Sequence, residues 1–367
     1  MCNIFKHSHF ESNPFLNGGN KRTAQINELL NKTNINFIEA NFSPYTPSSR
    51  NPLMLTKGLI YNWKNFSPLK SSYAIGRYLK QFENFIKYKK PSFFIWESVS
   101  EYNLLLSKVL HDNNIPFVAL PHNIESLVEG SKSPFSNLKS PYRLFEELNY
   151  LKLSDSVFTI SKEEQWLLSL NNITVNYLPY HPTEQLKCKL LKIRDRKKEW
   201  NHKAKKNIKV LLLGTFYNKP TFDGYVELID QLKNHNNIIL NVCGFGSELL
   251  RGKFTENHIK IRGTVSNEEL DEIIVDSDFG IIHQKPSSGA LTRIPELLIA
   301  GLPLFVNNHA ARSSPSNDEL YIYDSIPELL DLISGFEKRV PSVLDRPKEE
   351  IIFMNQIVQM TEGISKI

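Results

Sequence analysis

The chain is expected to fold as two α/β domains, each a parallel sheet wound on both faces by helices. Three observations predict this. Its 367 residues exceed one usual domain. In the second half, short apolar runs alternate with helix-length segments. The first half repeats the alternation ahead of a lysine-rich break. Right-handed crossovers make each sheet parallel, and ligands of such sheets gather at the carboxyl ends of the strands, here in a central cleft that the two domains face.

In the second half the strands are "IKVLLLG" (208–214), "IILNVCG" (238–244), "IKIRG" (259–263), "FGIIH" (279–283) and "LPLFVNN" (302–308). A helix fits "FDGYVELIDQLKNH" (222–235), where Tyr225, Val226, Ile229 and Leu232 share a face. Another begins at "SNEELDEIIVDS" (266–277), with Ser266 and Glu269 spaced as a capping box. In the first half the strands are "INFIEAN" (35–41), "SFFIWE" (92–97), "IPFVALP" (115–121), "DSVFTIS" (155–161) and "TVNYLPY" (174–180), with a helix over "SEYNLLLSKVLHDN" (100–113).

Composition narrows the function. Apolar residues at 41% and charged ones at 23% suit a globular protein with a full core. No apolar run reaches the roughly 18 residues that cross a bilayer, and the start, "MCNIFKHSHFES", has no apolar signal segment. A cytoplasmic protein is expected. Cys2, Cys188 and Cys243 are far apart, so neither a zinc site nor a disulfide framework is indicated. The net charge of +5 is concentrated in "KCKLLKIRDRKKEWNHKAKKN" (187–207). That stretch is either a patch for phosphate-rich partners, anionic lipid or nucleic acid, or a solvated linker or exposed helix face, the preferred reading. Without aromatic interleaving or a motif, nucleic acid is not expected as a partner.

The densest signal is "SSGALTRIPELLIAGLPLFVNN" (287–308). A loop leaves the strand "FGIIH" and enters a short helix near Thr292, a good N-cap residue. Pro295 is tolerated in the first turn, Ile294, Leu297 and Leu298 form a buried face, and Gly301 with Pro303 stops the helix. The positive helix end suits an anion such as phosphate. Arg293 adds a charged fork that matches phosphate, and Glu296 can accept from two ribose hydroxyls. Phosphate and ribose recognition together mean a nucleotide. Asp276-Ser277-Asp278 also spells a metal-binding pattern, but it precedes "FGIIH" and so falls at the wrong end of that strand, roughly 16 Å from the ligand end. Helix-end and turn hydrogen bonding is the role expected for it.

These 22 residues resemble the nucleotide-sugar motif of GT-B glycosyltransferases, chiefly glycosyltransferase family 4. Further segments resemble that family in the same order: "NPFLNGGNKR" (13–22), "IPFVALPHNIE" (115–125), "VFTISKEE" (157–164), "VNYLPYHP" (175–182), "VCGFGSEL" (242–249) and "IKIRGTVSNEEL" (259–270). The resemblance implies a GT-B fold and a retaining hexosyltransferase of polysaccharide or glycoconjugate synthesis. A sugar would pass from a nucleotide-sugar donor to a glycan, lipid-linked or small-molecule acceptor, with no cofactor or metal required, at the inner face of the membrane or in the cytoplasm.

By the same resemblance Arg293 lies at the pyrophosphate, Glu296 at the ribose, and the backbone near Val265 at the base, with Gly244 bordering the nucleotide and Thr292 among the nucleotide-binding residues. Gly18 and Gly19 let main chain approach the phosphates, and His122 is the catalytic residue beside the reacting sugar. The implied domains are 1–182 on the acceptor side, a basic linker 183–207, a nucleotide-sugar domain 208–340, and a helical segment 341–367 returning to the first domain. Two positions depart from the family: Ser288 stands where a first glutamate is usual, and "GTFYNKP" offers Thr215 and Lys219 in place of an arginine and lysine pair. A nucleotide-sugar epimerase and a non-catalytic nucleotide-sugar-binding partner of another transferase are the alternatives.

Overall fold

The computed structural model describes residues 3–42, 52–62, 69–136, 139, 142–200 and 207–364. Along the chain run β1 (Ile4–His7), α1 (Gly18–Lys32), β2 (Ile38–Glu39), α2 (Pro52–Tyr61), α3 (Leu69–Lys89), β3 (Phe93–Trp96), α4 (Leu104–Asp112), β4 (Phe117–Ala119), α5 (Leu144–Leu151), β5 (Ser156–Thr159), α6 (Lys162–Leu170) and β6 (Val175–Tyr177). They continue with α7 (Glu184–Trp200), β7 (Ile208–Leu213), α8 (Lys219–Leu232), β8 (Ile238–Cys243), β9 (Ile259–Gly263), α9 (Asn267–Asp276), β10 (Phe279–Ile282), α10 (Arg293–Ile299), β11 (Leu304–Asn307), α11 (Asn308–Ala311), β12 (Leu320–Tyr323), α12 (Ile326–Ser334) and α13 (Lys348–Ile364).

Residues up to Pro179 and from Pro347 onward form one compact unit, and Tyr180–Arg346 form the other. Each holds a six-stranded, wholly parallel sheet, in the orders β2-β1-β3-β4-β5-β6 and β12-β11-β10-β7-β8-β9. All ten expected strands are present. Two more, β1 and β12, were not anticipated: "IFKH" carries a lysine and a histidine, and "LYIY" follows a long polar loop. The strand order reverses between β1 and β3 in the first sheet and between β7 and β10 in the second. A ligand crevice opens at such points, beyond the carboxyl ends of the strands.

Burial on both faces explains the near-continuous apolar strands. Phe94 and Trp96 of β3 enter one core with Phe5 and Phe117, while Phe93 and Ile95 enter another with Ile4 and Val118. This is the period of two expected of a strand covered on both sides. Ile26, Leu29 and Leu30 of α1 and Phe353 and Ile357 of α13 cover the second face, so the C-terminal helix is part of the first unit. On α8 the buried set is Tyr225, Leu228, Ile229 and Leu232, and Val226 is only half-buried.

The segment 183–207 is not a linker over its described length. Glu184–Trp200 is helical and belongs to the second unit, with Leu186, Leu190 and Ile193 buried. Two of its cations are drawn inward as well. Arg194 donates to Leu298 O and Ile299 O at 3.3 and 3.4 Å and to Pro341 O, covering carbonyls at the end of α10. Lys197, fully buried, donates to Ile274 O at 3.1 Å and to Ser277 O, at the end of α9. The last carbonyls of a helix lack intrahelical partners and carry negative partial charge, so cations are favoured there. Lys189 and Arg196 pair with Asp271 and Glu272.

Candidate functional site

In the first unit the polar side chains converge at the carboxyl ends of β1, β3 and β4, where the strand order reverses. Glu97, just past β3, is 1% exposed. Its Oε2 receives Lys6 Nζ at 2.7 Å and Ser8 Oγ at 3.0 Å. Its Oε1 receives His122 Nε2 at 2.9 Å and the Thr23 hydroxyl. Burial alone would raise this carboxyl, but the Lys6 charge and the bonds from His122 and Lys6 outweigh it, bringing it down to about 2. The carboxylate is therefore ionised and acceptor-only. Lys6, also fully buried, supplies the charge that makes its burial tolerable.

His122, singled out from the sequence, does sit in this cluster, with Phe10 against it at 5.0 Å between ring centroids. Phe10 also explains Gly19. A Cβ on Gly19 would lie 2.6 Å from the Phe10 ring, so the missing side chain lets that aromatic pack onto α1. Gly18 opens α1, and the Asn17 side chain accepts from Gly19 N and Asn20 N. Gly19 thus has a packing role here that the sequence did not suggest.

In the second unit the loop following β10 and leading into α10 is held in place at the other reversal point. Asn307 holds the Gln284 main chain from both sides, at 3.1 and 2.8 Å. Arg312 donates to Ser288 O at 2.7 Å and to Gly289 O at 2.8 Å. A Cβ on Gly224 of α8 would meet His283 O at 2.6 Å, so α8 is pressed directly onto this loop. Within that frame several buried polar atoms have no hydrogen-bond partner among the described residues: Arg293 Nε and Nη2, both amide atoms of Gln284, and Ser288 Oγ. Burial lowers the Arg293 guanidinium from its ordinary value, against the opposing charge of Glu296. Enclosed polar atoms of this kind are rare in folded proteins, because each costs about 1–3 kcal/mol. A guanidinium and an amide with unpaired atoms are groups that an anion with additional hydrogen-bonding groups can satisfy.

Glu296 is 8% exposed, and the Tyr180 hydroxyl donates to its Oε1 at 2.8 Å. The expectation for Thr292 needs correcting: its backbone is already helical and its side chain makes no capping bond. The stop at the other end is as expected. Gly301, at φ +84°, donates to Leu298 O, and Leu302 donates to Leu297 O, the paired bonds of a Schellman motif. Gly244, at φ +121°, follows β8, and a Cβ there would lie 2.0 Å from Gly214 O. Val265 is half-buried in the turn after β9, and Ser266 caps α9 by accepting from Glu269 N at 3.1 Å.

Asp276 and Asp278 lie at the amino end of β10. Asp276 pairs with Lys209 Nζ at 2.5 Å, and Asp278 accepts from Lys209 N at 2.8 Å and Lys338 Nζ at 2.7 Å. These contacts reach across to β7 and to Lys338, and are not the local helix-end and turn hydrogen bonds expected from the sequence. Among the described residues no cluster of three or more His, Cys, Asp or Glu has metal-ligand geometry, and no helix is long and apolar enough to cross a membrane.

Lys6, Ser8, Thr23, Glu97 and Gln284 were not identified from sequence. A signal existed for three of them: a lysine inside "IFKH", a glutamate closing "SFFIWE" and a glutamine directly after "FGIIH". Each is a polar residue at the carboxyl end of an apolar run. Only the strand order brings Lys6 beside Glu97.

No family model matches this chain, and no curated protein matches it in sequence. Solved structures do resemble it over nearly its full length. Sucrose-phosphate synthase from Thermosynechococcus elongatus aligns with a TM-score of 0.60 at 12% identity, covering 99% of this chain and 94% of that one. Trehalose 6-phosphate synthase from Burkholderia multivorans aligns with a TM-score of 0.59 at 8% identity, covering 100% and 99%. HepE of Anabaena, solved in complex with UDP, aligns with a TM-score of 0.58 at 12% identity, covering 100% and 99%. Two Rossmann-like, doubly wound domains in this order, alike over the whole length of such proteins, give the chain the GT-B fold.

Proposed function

We propose that this protein is a glycosyltransferase that moves a sugar from a nucleotide-sugar donor to a glycan, lipid-linked or small-molecule acceptor. The observation that carries this reading is the set of enclosed, unpartnered polar atoms of Arg293, Gln284 and Ser288 beyond β10. A nucleoside diphosphate supplies the partners they lack. Its phosphates meet the guanidinium, as charge-assisted hydrogen bonds require, and its ribose meets Glu296, oriented by Tyr180. The similarity to sucrose-phosphate and trehalose-phosphate synthases, and to HepE with UDP, supports the same reading.

Within that reading the finer assignments follow the resemblance to glycosyltransferase family 4: Gly244 and the backbone near Val265 border the nucleoside, Arg293 lies at the diphosphate, Thr292 is among the nucleotide-binding residues, Gly18 and Gly19 lie near the donor phosphates, and His122 serves the reacting sugar. Transfer proceeds by stabilising the diphosphate as its charge develops, an electrostatic task assigned to Arg293 rather than to a metal. Retention of configuration and a hexose donor belong to the same proposal. So does peripheral contact of the basic helix α7 with anionic membrane, which vesicle co-sedimentation at low salt tests.

The test is a panel of nucleotide sugars, each incubated with the protein and candidate acceptors while free nucleotide is measured. Release dependent on acceptor supports transfer. Tight binding without release favours the second reading, a non-catalytic binding partner, for which the observation is Ser288 in place of the family's first glutamate. The absence of both refutes the proposal.

A further inference from the structure

The four donors around Glu97 have a consequence for His122. The carboxylate is buried, ionised and can only accept, so the imidazole nitrogen 2.9 Å from it must carry a proton. That nitrogen is Nε2. Among the described residues Nδ1 has no hydrogen-bond partner, and the His122 side chain keeps 16% of its surface exposed while Glu97 has none. Phe10 lies against one side of the ring and restricts its rotation. The carboxylate is itself held: Lys6 and Ser8 fix one oxygen, and Thr23 of α1 shares the other with His122. Lys6 also balances the Glu97 charge. The imidazole is thereby offered an acceptor whose charge is paired with Lys6, which also reaches Glu39 Oε1 at 3.5 Å.

We infer that Glu97 is a positioning residue that locks His122 as its Nε2–H tautomer, leaving Nδ1 as a hydrogen-bond acceptor for a sugar hydroxyl. This deepens the transferase reading and rests on it for the identity of the hydroxyl. In the neutral ring Nδ1 then receives a hydroxyl proton in a hydrogen bond and offers no proton of its own. Glu97 and Lys6 touch no substrate in this scheme. They act through His122, and Ser8 and Thr23 keep the carboxylate aimed.

The test separates the tautomer from the activity. Long-range proton–nitrogen correlation spectra of the full-length protein labelled with nitrogen-15 at histidine report which His122 nitrogen is protonated, with His122→Gln assigning the signal. In the neutral ring the wild type should show protonated Nε2 and bare Nδ1. Glu97→Gln alone strands the Lys6 charge, so the double variant Lys6→Met/Glu97→Gln, which removes both charges, is measured beside it. An amide both donates and accepts, so the double variant should give a mixture of tautomers. In the transfer assay it should lose at least tenfold in kcat with little change in donor KM, and restoring Lys6 and Glu97 together should recover the rate. A wild-type signal with protonated Nδ1, or a double variant with unchanged tautomer and rate, overturns the inference. No transfer by the wild type from any donor refutes the transferase reading instead, and the tautomer spectra then decide the role of Glu97.

Discussion

Replacing Arg293 by methionine should move stability and ligand binding in opposite directions. The guanidinium Nε and Nη2 are enclosed without partners. Methionine keeps most of the apolar stem and removes the polar fork. An unsatisfied buried polar group costs about 1–3 kcal/mol, so the ligand-free variant should be no less stable than the parent and up to about 2 kcal/mol more stable. For a domain of this size that is a rise of roughly 2–4 °C in Tm per kcal/mol. Loss of the nearby cation leaves Glu296 less compensated, which keeps the gain at the lower end. Binding should fall. Hydrogen bonds to charged groups contribute about 1.5–3 kcal/mol each, and loss of about 3 kcal/mol in all weakens UDP binding on the order of a hundredfold. Denaturant unfolding without ligand and titration calorimetry with UDP measure the two effects. A folded variant with unchanged UDP affinity, or one markedly destabilised without ligand, refutes the assignment and makes Arg293 a structural residue.

Further outcomes concern residues of both units. Glu296→Ala should weaken nucleotide binding at least tenfold by calorimetry, since a charge-assisted ribose contact contributes about 1.5–3 kcal/mol. His122→Ala should lower kcat strongly while nucleotide affinity barely moves, the signature of a group engaged in the transition state. Transfer should survive excess chelator, and Asp276→Asn should be nearly silent, since its Lys209 pair is half-exposed; activity lost in chelator and restored by magnesium or manganese would reverse this. Glu125 is raised to about 7, by burial first and then by the neighbouring Glu147. Its folded value lies above its unfolded one, so its contribution is full below about pH 4.5 and is lost as pH rises through 7. Glu125→Gln should therefore stabilise relative to the parent at pH 8 but not at pH 4, by on the order of 1–2 kcal/mol in denaturant unfolding.

The sequence by itself determined the class of fold and most of its strands. Runs such as "SFFIWE" and "IILNVCG" are apolar on both faces, and only a sheet covered on both sides buries them. It also determined how α10 ends, because Gly301 reaches positive φ without strain and Pro303 cannot continue a helix. In the basic segment 187–207, Arg194 and Lys197 are buried although lysine and arginine usually mark a solvated surface. That the helix ends of α9 and α10 lie within reach of Lys197 and Arg194 is a fact of packing. The Glu97 cluster was closed to sequence reading for the same reason. Lys6 and Glu97 are far apart along the chain, and each alone contradicts the apolar strand it extends. Strand order alone sets β1 beside β3 in parallel register, with both carboxyl ends at the point where the order reverses. There opposite charges become neighbours, and two residues that would each be unfavourable to bury become a pair that holds His122 in place.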